Sequence, residues 1–180
     1  VGGNDHDAVA TKTATQGSGH GFTVKLAHES GLTVGAGQEN ISSNSGNAGE
    51  VENVTGYATY SMGPVSVGYQ SYYLNNGSTE LAGGVSPGND YSGDAVGIAF
   101  NVNDQVSIGY QKISETQEAN ATGASSELAS DRDIKSLSAA YSSGGMTMSI
   151  QQTDTDNYSF AAAGSELDTE TVQVTLSFAF

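Results

Sequence analysis

The residues from Thr171 to Phe180 alternate without a break: Val172, Val174, Leu176, Phe178 and Phe180 are apolar, and Thr171, Gln173, Thr175, Ser177 and Ala179 are polar or small. A period of two puts all the apolar side chains on one side of an extended chain, so this segment predicts a β-strand with one apolar and one polar face. Ten residues exceed the usual 5–6 of globular strands and match the ~9–11 that cross a bilayer at a tilt.

The same alternation recurs through the chain. Phe22, Val24 and Leu26 alternate with Thr23 and Lys25; Val65, Val67 and Tyr69 with Ser66 and Gly68; Val96, Ile98 and Phe100 with Gly97 and Ala99; Met146, Met148 and Ile150 with Thr147 and Ser149. Nine strands are predicted, at 21–29, 32–41, 51–62, 65–74, 91–102, 105–115, 133–142, 146–153 and 169–180. No stretch shows helical periodicity of comparable length. The predicted fold class is all-β, an antiparallel transmembrane β-barrel.

The links between strands sort by length. Ser30–Gly31, Gly63–Pro64, Asn103–Asp104 and Ser143–Gly144–Gly145 have the chemistry of tight hairpins, where glycine supplies positive φ. Between them lie the long links 42–50, 75–90, 116–132 and 154–168. Short and long alternate, so short turns collect at one end of the sheet and long loops at the other, as in outer-membrane barrels.

Composition agrees and excludes much else. The chain has 180 residues with 20 acidic and 5 basic ones, a formal net charge of −15, no Cys and no Trp, and only 14% charged residues. Such an acidic chain does not suit nucleic acid, which requires clustered Lys and Arg. Without Cys there is no disulfide scaffold, Cys nucleophile or thiolate metal site. The chain opens on Val1, which predicts a processed or truncated product. Of the acids, only Glu29 and Asp104 fall at the short-turn end. The rest belong to the long loops, the leading segment or adjacent strand ends, and are read either as a solvated loop surface or as a vestibule that concentrates cations.

Parity assigns roles. The polar-parity residues Lys25, Thr33, Thr55, Tyr57, Gln70, Asn101, Gln105, Gln111, Ser138, Gln151 and Gln173 are the expected water-facing set, with Lys25 the only base among them. Tyr60, Tyr69, Tyr73, Tyr110, Tyr141, Phe178 and Phe180 have apolar parity and suit an interfacial aromatic girdle. Lys112 and Lys135 share that parity near loop ends, where they snorkel to headgroups or meet lipopolysaccharide phosphates. No catalytic motif emerges around His6, His20 and His28, and the chain is read as a non-enzyme with no cofactor. The exception considered is weak Ca²⁺ binding at acidic loop pairs, foremost Asp154 and Asp156, with Asp5/Asp7 and Asp131/Asp133 as analogues.

The segments Tyr60–Ser61–Met62–Gly63–Pro64–Val65–Ser66–Val67–Gly68–Tyr69, Val106–Ser107–Ile108–Gly109–Tyr110–Gln111 and Lys25–Leu26–Ala27–His28–Glu29, with the terminal Phe180, resemble Gram-negative outer-membrane porins of the alphaproteobacterial type. The resemblance implies that residues 21–180 correspond to the last nine strands of a sixteen-stranded barrel and residues 1–20 to the end of a preceding extracellular loop. It further implies a homotrimer in the outer membrane, partnered by lipid and lipopolysaccharide, with the other barrel half from upstream sequence or another chain. The implied function is passive diffusion of small hydrophilic solutes and ions through a water-filled channel. Two alternatives stay open: an eight-stranded non-channel barrel over 32–180, acting as adhesin, receptor or anchor, and a soluble secreted β-protein.

Overall fold

A computed structural model describes residues 18–42, 50–76, 79–81, 84–86, 89–119, 129–161 and 164–179. Its main sheet consists of nine strands: β1 (Ser18–Ala27), β2 (Leu32–Ser42), β3 (Val51–Met62), β4 (Val65–Asn75), β7 (Asn89–Asn101), β8 (Val106–Ala119), β9 (Ala129–Ser143), β10 (Met146–Asp156) and β11 (Thr169–Phe178). Two three-residue strands, β5 (Thr79–Leu81) and β6 (Gly84–Ser86), pair as a separate hairpin inside the link between β4 and β7. Every neighbouring pair is antiparallel, and strands follow one another in chain order. This meander puts the short turns at one end and the long links at the other.

The turns form where glycine chemistry allows. Gly144 and Gly145 both take positive φ, 57° and 80°, as a two-residue hairpin with the twist of its strands requires. Between β7 and β8 the Asn103 side chain caps the turn, its Oδ1 accepting from Gln105 N at 2.8 Å and Val106 N at 2.9 Å. Gly31 has φ 91°, and a Cβ there would press into the Ser61 carbonyl oxygen.

Several strands run further than periodicity indicates, all toward the long-link end. β1 begins at Ser18, β8 continues to Ala119, β9 begins at Ala129 and β10 continues to Asp156. In these extensions the alternating residues are polar or charged on both faces, so the apolar signal fades while the backbone ladder persists. Gln105 lies in the turn before β8 instead of in the strand, and Phe180 lies outside the described residues.

Register joins the alternating sets into continuous faces. One face carries Phe22, Val24 and Leu26 of β1, Leu32 and Val34 of β2, Tyr60 and Met62 of β3, Val67 and Tyr69 of β4, Val96, Ile98 and Phe100 of β7, Ile108 and Tyr110 of β8, Leu137 and Tyr141 of β9, Met148 and Ile150 of β10, and Val172, Val174, Leu176 and Phe178 of β11, all of them exposed. Among the described residues no hydrophobic side chain is buried, and Leu26 and Val174 stay 65% and 64% exposed. The described sheet has no core.

The apolar band crosses the ladder obliquely. One row of paired residues runs Leu26, Val34, Ala58, Tyr69, Val96, Lys112, Lys135, Asp154, Glu170, apolar at its start and charged at its end. The band is centred two residues above this row on β1 and five below it on β11. Seven residues of ~3.4 Å, taken over eight strand spacings of ~4.8 Å, incline the strands to the band normal by roughly 30°.

The edges are β1 and β11, both running from the long-link end toward the short-turn end, so they cannot pair with each other antiparallel. β1 pairs with β2 along its whole length, Ser18 to Ala27, as an integral strand.

Gly31→Ala and Gly63→Ala separate two costs of turn substitution. Both glycines have positive φ, but a Cβ at Gly63 meets nothing within 4 Å. Gly63→Ala is expected to lose about 1–2 kcal/mol from left-handed backbone strain, and Gly31→Ala distinctly more. Urea unfolding measures both, and equal losses would contradict the close approach to Ser61.

Candidate functional site

The opposite face is the candidate site because it is polar and hollowed. A cleft of about 860 Å³ toward the long-link end is lined by Thr23, Gly37, Glu39, Asn53, Thr55, Gln70, Tyr72, Leu74, Tyr91, Glu115 and Arg132, among others. A smaller hollow of about 420 Å³ nearer the short turns is lined by Thr59, Gly68, Gly97, Gly109, Gln111, Ser136, Ser138 and Gln151, together with Val67, Ile98 and Tyr110 among others. Thr55 and Gln70 thus lie in the large cleft, with Gln70 Nε2 donating to Thr55 Oγ1 at 3.0 Å. Gln111, Gln151 and Ser138 share the second hollow, and Tyr57 meets Gln70 and Gln111 in a smaller one beside it. Asn101 and Gln105 line a hollow at the short-turn end. Lys25, Thr33 and Gln173 hold polar-face register positions without lining these hollows, Thr33 opposite Thr59 and Gln173 opposite Gln151.

Lys25 is joined there by a second base. Because β9 begins at Ala129, Arg132 falls on the polar face, opposite Glu115. Arg132 Nε donates to Glu115 Oε2 at 2.7 Å and Nη2 completes the ion pair. The other oxygen of Glu115 accepts the Tyr72 hydroxyl. Tyr72 reaches it across Gly93 of the intervening strand, where a Cβ would stand 2.5 Å from the ring. Glycine at 93 therefore opens the passage that links β4 to β8.

Arg132 also holds the link after β10. Its Nη1 donates to the Tyr158 carbonyl at 3.2 Å, and its guanidinium lies 4.2 Å from the Phe160 ring centre. Phe160 meets Tyr91 edge-on at 5.6 Å, and the Tyr91 hydroxyl accepts from Gln117 Nε2 at 2.7 Å. Parity missed this cluster because its members lie beyond the clean alternation. A usable sign was Arg132 itself, the single arginine of the chain, flanked by Asp131 and Asp133.

Charge divides unequally between the faces. On the polar face of the described strands, Lys25 and Arg132 match Glu39 and Glu115 in number. The apolar-parity face carries Glu52, Asp90, Asp94, Glu118, Asp131, Asp133, Asp154, Asp156 and Glu170 above its apolar band, against Lys112 and Lys135. These strand-end acids therefore share the face of the apolar band and not the polar face. Lys112 pairs with Asp133 at 3.1 Å and Lys135 with Asp156 at 2.9 Å. Exposed pairs of this kind are worth about 1 kcal/mol at most.

Two of the tyrosines expected to form a girdle, Tyr69 and Tyr73, meet the same acidic border. Tyr60, Tyr69, Tyr73, Tyr110, Tyr141 and Phe178 all stand on the apolar face and are exposed. Tyr73 donates its hydroxyl to Asp90 at 3.0 Å, and Tyr69 donates to Asp94. Each ring covers apolar surface while its hydroxyl reaches polar ground, as amphipathic tyrosines do at a boundary.

Of the Ca²⁺ pair, Asp156 accepts the Lys135 ammonium, and Asp154 accepts from Gln152 Nε2 at 3.4 Å. Among the described residues no group of three or more His, Cys, Asp or Glu is arranged to hold a metal ion. Asp5 and Asp7 lie outside the described residues. Comparisons with protein-family models, curated proteins and solved structures returned no match.

The cluster makes a graded stability prediction. Tyr72→Phe removes one hydrogen bond to a charged group and is expected to cost about 1.5–3 kcal/mol. Glu115→Gln removes the counter-charge of a half-buried arginine as well, and is expected to cost more. Chemical unfolding of the folded protein checks the order, and a harmless Glu115→Gln would show that the pair is solvated.

Proposed function

We propose that this chain forms much of the wall of a bacterial outer-membrane porin, a water-filled channel through which small hydrophilic solutes and ions diffuse passively. The observation that carries the reading is the exposed apolar face: a nine-stranded sheet with no buried hydrophobic side chain among its described residues. Apolar surface on this scale requires an apolar medium, since burial is worth about 25 cal/mol per Å². Lipid supplies it without a second protein layer. The oblique band supports the same reading, its incline of roughly 30° lying near the 35–45° tilt of transmembrane barrel strands.

The polar wall suits passive transport. Thr55, Gln70, Gln111, Ser138 and Gln151 hold water by hydrogen bonding yet offer no dense charge on which a solute would be retained. Selectivity is then weak and set by the mouth. In the proposed assembly the remaining wall contributes an odd number of strands, because β1 and β11 run the same way and each edge needs an antiparallel neighbour. The full-length β1–β2 pairing argues against setting β1 aside to close an eight-stranded barrel. A homotrimer in lipopolysaccharide-bearing membrane is the assembly proposed.

Planar-bilayer recording tests the channel: stepwise, ohmic conductance is expected, and folded, inserted protein that never conducts would refute it. Two arginine substitutions test the faces. Ile98→Arg, on the apolar face, is expected to cost about 2–4 kcal/mol at the bilayer midplane. Gln111→Arg, on the polar face, is expected to leave stability nearly unchanged and move the reversal potential toward anion preference. Equal destabilisation by the two would contradict the assignment of lipid to one side and water to the other.

A further inference from the structure

The link after β10 does not simply arch away from the sheet. Asn157 and Phe160, the non-glycine residues with positive φ among those described, both at 53°, fold its first residues back across the top of β9. Asn157 is 8% exposed and saturated: the two Nδ2 hydrogens serve the Asp131 carbonyl at 2.8 Å, Ser130 Oγ at 3.1 Å and the Ala161 carbonyl at 3.1 Å, one of them shared between two acceptors. Its Oδ1 accepts Ala161 N at 2.8 Å, and its own N–H donates to Asp168 Oδ1 at 3.0 Å. Ser130 Oγ closes the turn by donating to the Ala161 carbonyl at 2.8 Å. With the fold-back in place, Phe160 rests between Tyr91 and Arg132 on the polar face.

We propose that Arg132 pins residues 157–161 to the polar face as a fixed ledge, and that this ledge sets the bore and charge of the channel at its long-loop mouth. The proposal rests on the porin reading and names the position that would determine its specificity. Three separate engagements of one guanidinium carry it: Glu115 through Nε and Nη2, the Tyr158 carbonyl through Nη1, and the Phe160 ring through its plane. Planarity and a fixed fork of donors make this a task for arginine, since a lysine ammonium is a single point charge that cannot serve an edge and a face together. The anchor is itself anchored, because Tyr72 holds the second oxygen of Glu115 from two strands away. In this arrangement the Arg132 charge is spent on Glu115, and solutes at the mouth meet an aromatic edge and backbone in place of a free cation. Arg132 acts as a positioning residue: losing it frees the ledge and exposes Glu115 unpaired, so the mouth becomes wider and more negative together.

The chain has no cysteine, so paired spin labels at Ser159→Cys on the ledge and Asp104→Cys at a short turn report ledge position in the full chain inserted in lipid vesicles. Pulsed dipolar spectroscopy is expected to give one narrow distance distribution in the otherwise native protein. Arg132→Ala and Arg132→Lys are both expected to broaden it. Phe160→Ala, which keeps the Arg132–Glu115 pair and so protects folding, is expected to broaden it in part. In bilayer recordings Arg132→Ala is expected to raise unit conductance, add open-channel noise and shift the reversal potential toward cations.

A distribution that is already broad in the native protein overturns the ledge, and one that stays narrow in all three variants overturns Arg132 as its pin, since the Asn157 turn then holds it alone. Broadening without any change in conductance or selectivity overturns its role at the mouth. Native protein that never conducts defeats the porin reading instead, and the distance measurement then decides the ledge alone.

Discussion

The nine-stranded sheet depends on satisfying its backbone with no buried hydrophobic side chain among the described residues. Each inner strand of the nine-stranded sheet exchanges its N–H and C=O groups with antiparallel neighbours on both sides, and the edge strands β1 and β11 do so on one side, so backbone polarity is neutralised strand by strand except at the two edges. Side chains are then free to sort by parity alone. In an ordinary globular domain the apolar side of such a sheet would be closed by a second layer. Here it stands open from β1 to β11, and that one fact forces the choice of surroundings on which the functional reading is built.

Much of the fold was legible in the sequence because alternation and turn chemistry report the same geometry independently. Val96, Ile98 and Phe100 predict a face, and Gly144–Gly145 a reversal; the register confirms both by aligning Phe100 with Val65 and Ile108, and Met146 with Ser143. Legibility failed where the alternation loses contrast. Thr116, Gln117 and Glu118 read as loop since both parities are polar there, yet they belong to β8. The β5–β6 hairpin was likewise invisible, because three-residue strands are too short to show a period.

The same blind zone contained the chemistry. Arg132 sits between two aspartates in a stretch that scans as a solvated acidic loop, so its pairing with Glu115 and its hold on Phe160 could not be read from spacing. The acids of these strand ends also have a different address from the one that net charge suggests. A chain at −15 invites the picture of a negative mouth, but register sends Asp94, Asp131, Asp133, Asp154 and Asp156 to the apolar-parity side, just above the girdle. Tyr69 and Tyr73 bridge the two zones by hydroxyl. The polar wall is left nearly balanced, with its character set by amides, hydroxyls and glycines.

The central claim is that one face of this sheet meets lipid and the other meets water, and β7 offers the cleanest place to test it. Single cysteines placed in turn at positions 95 to 101 of the cysteine-free chain, spin-labelled in lipid vesicles, can be probed with oxygen as the lipid-soluble relaxant and a nickel chelate as the water-soluble one. The account predicts a period of two: oxygen dominating at 96, 98 and 100, the chelate at 95, 97, 99 and 101. Chelate access to both parities, or no alternation at all, would contradict it.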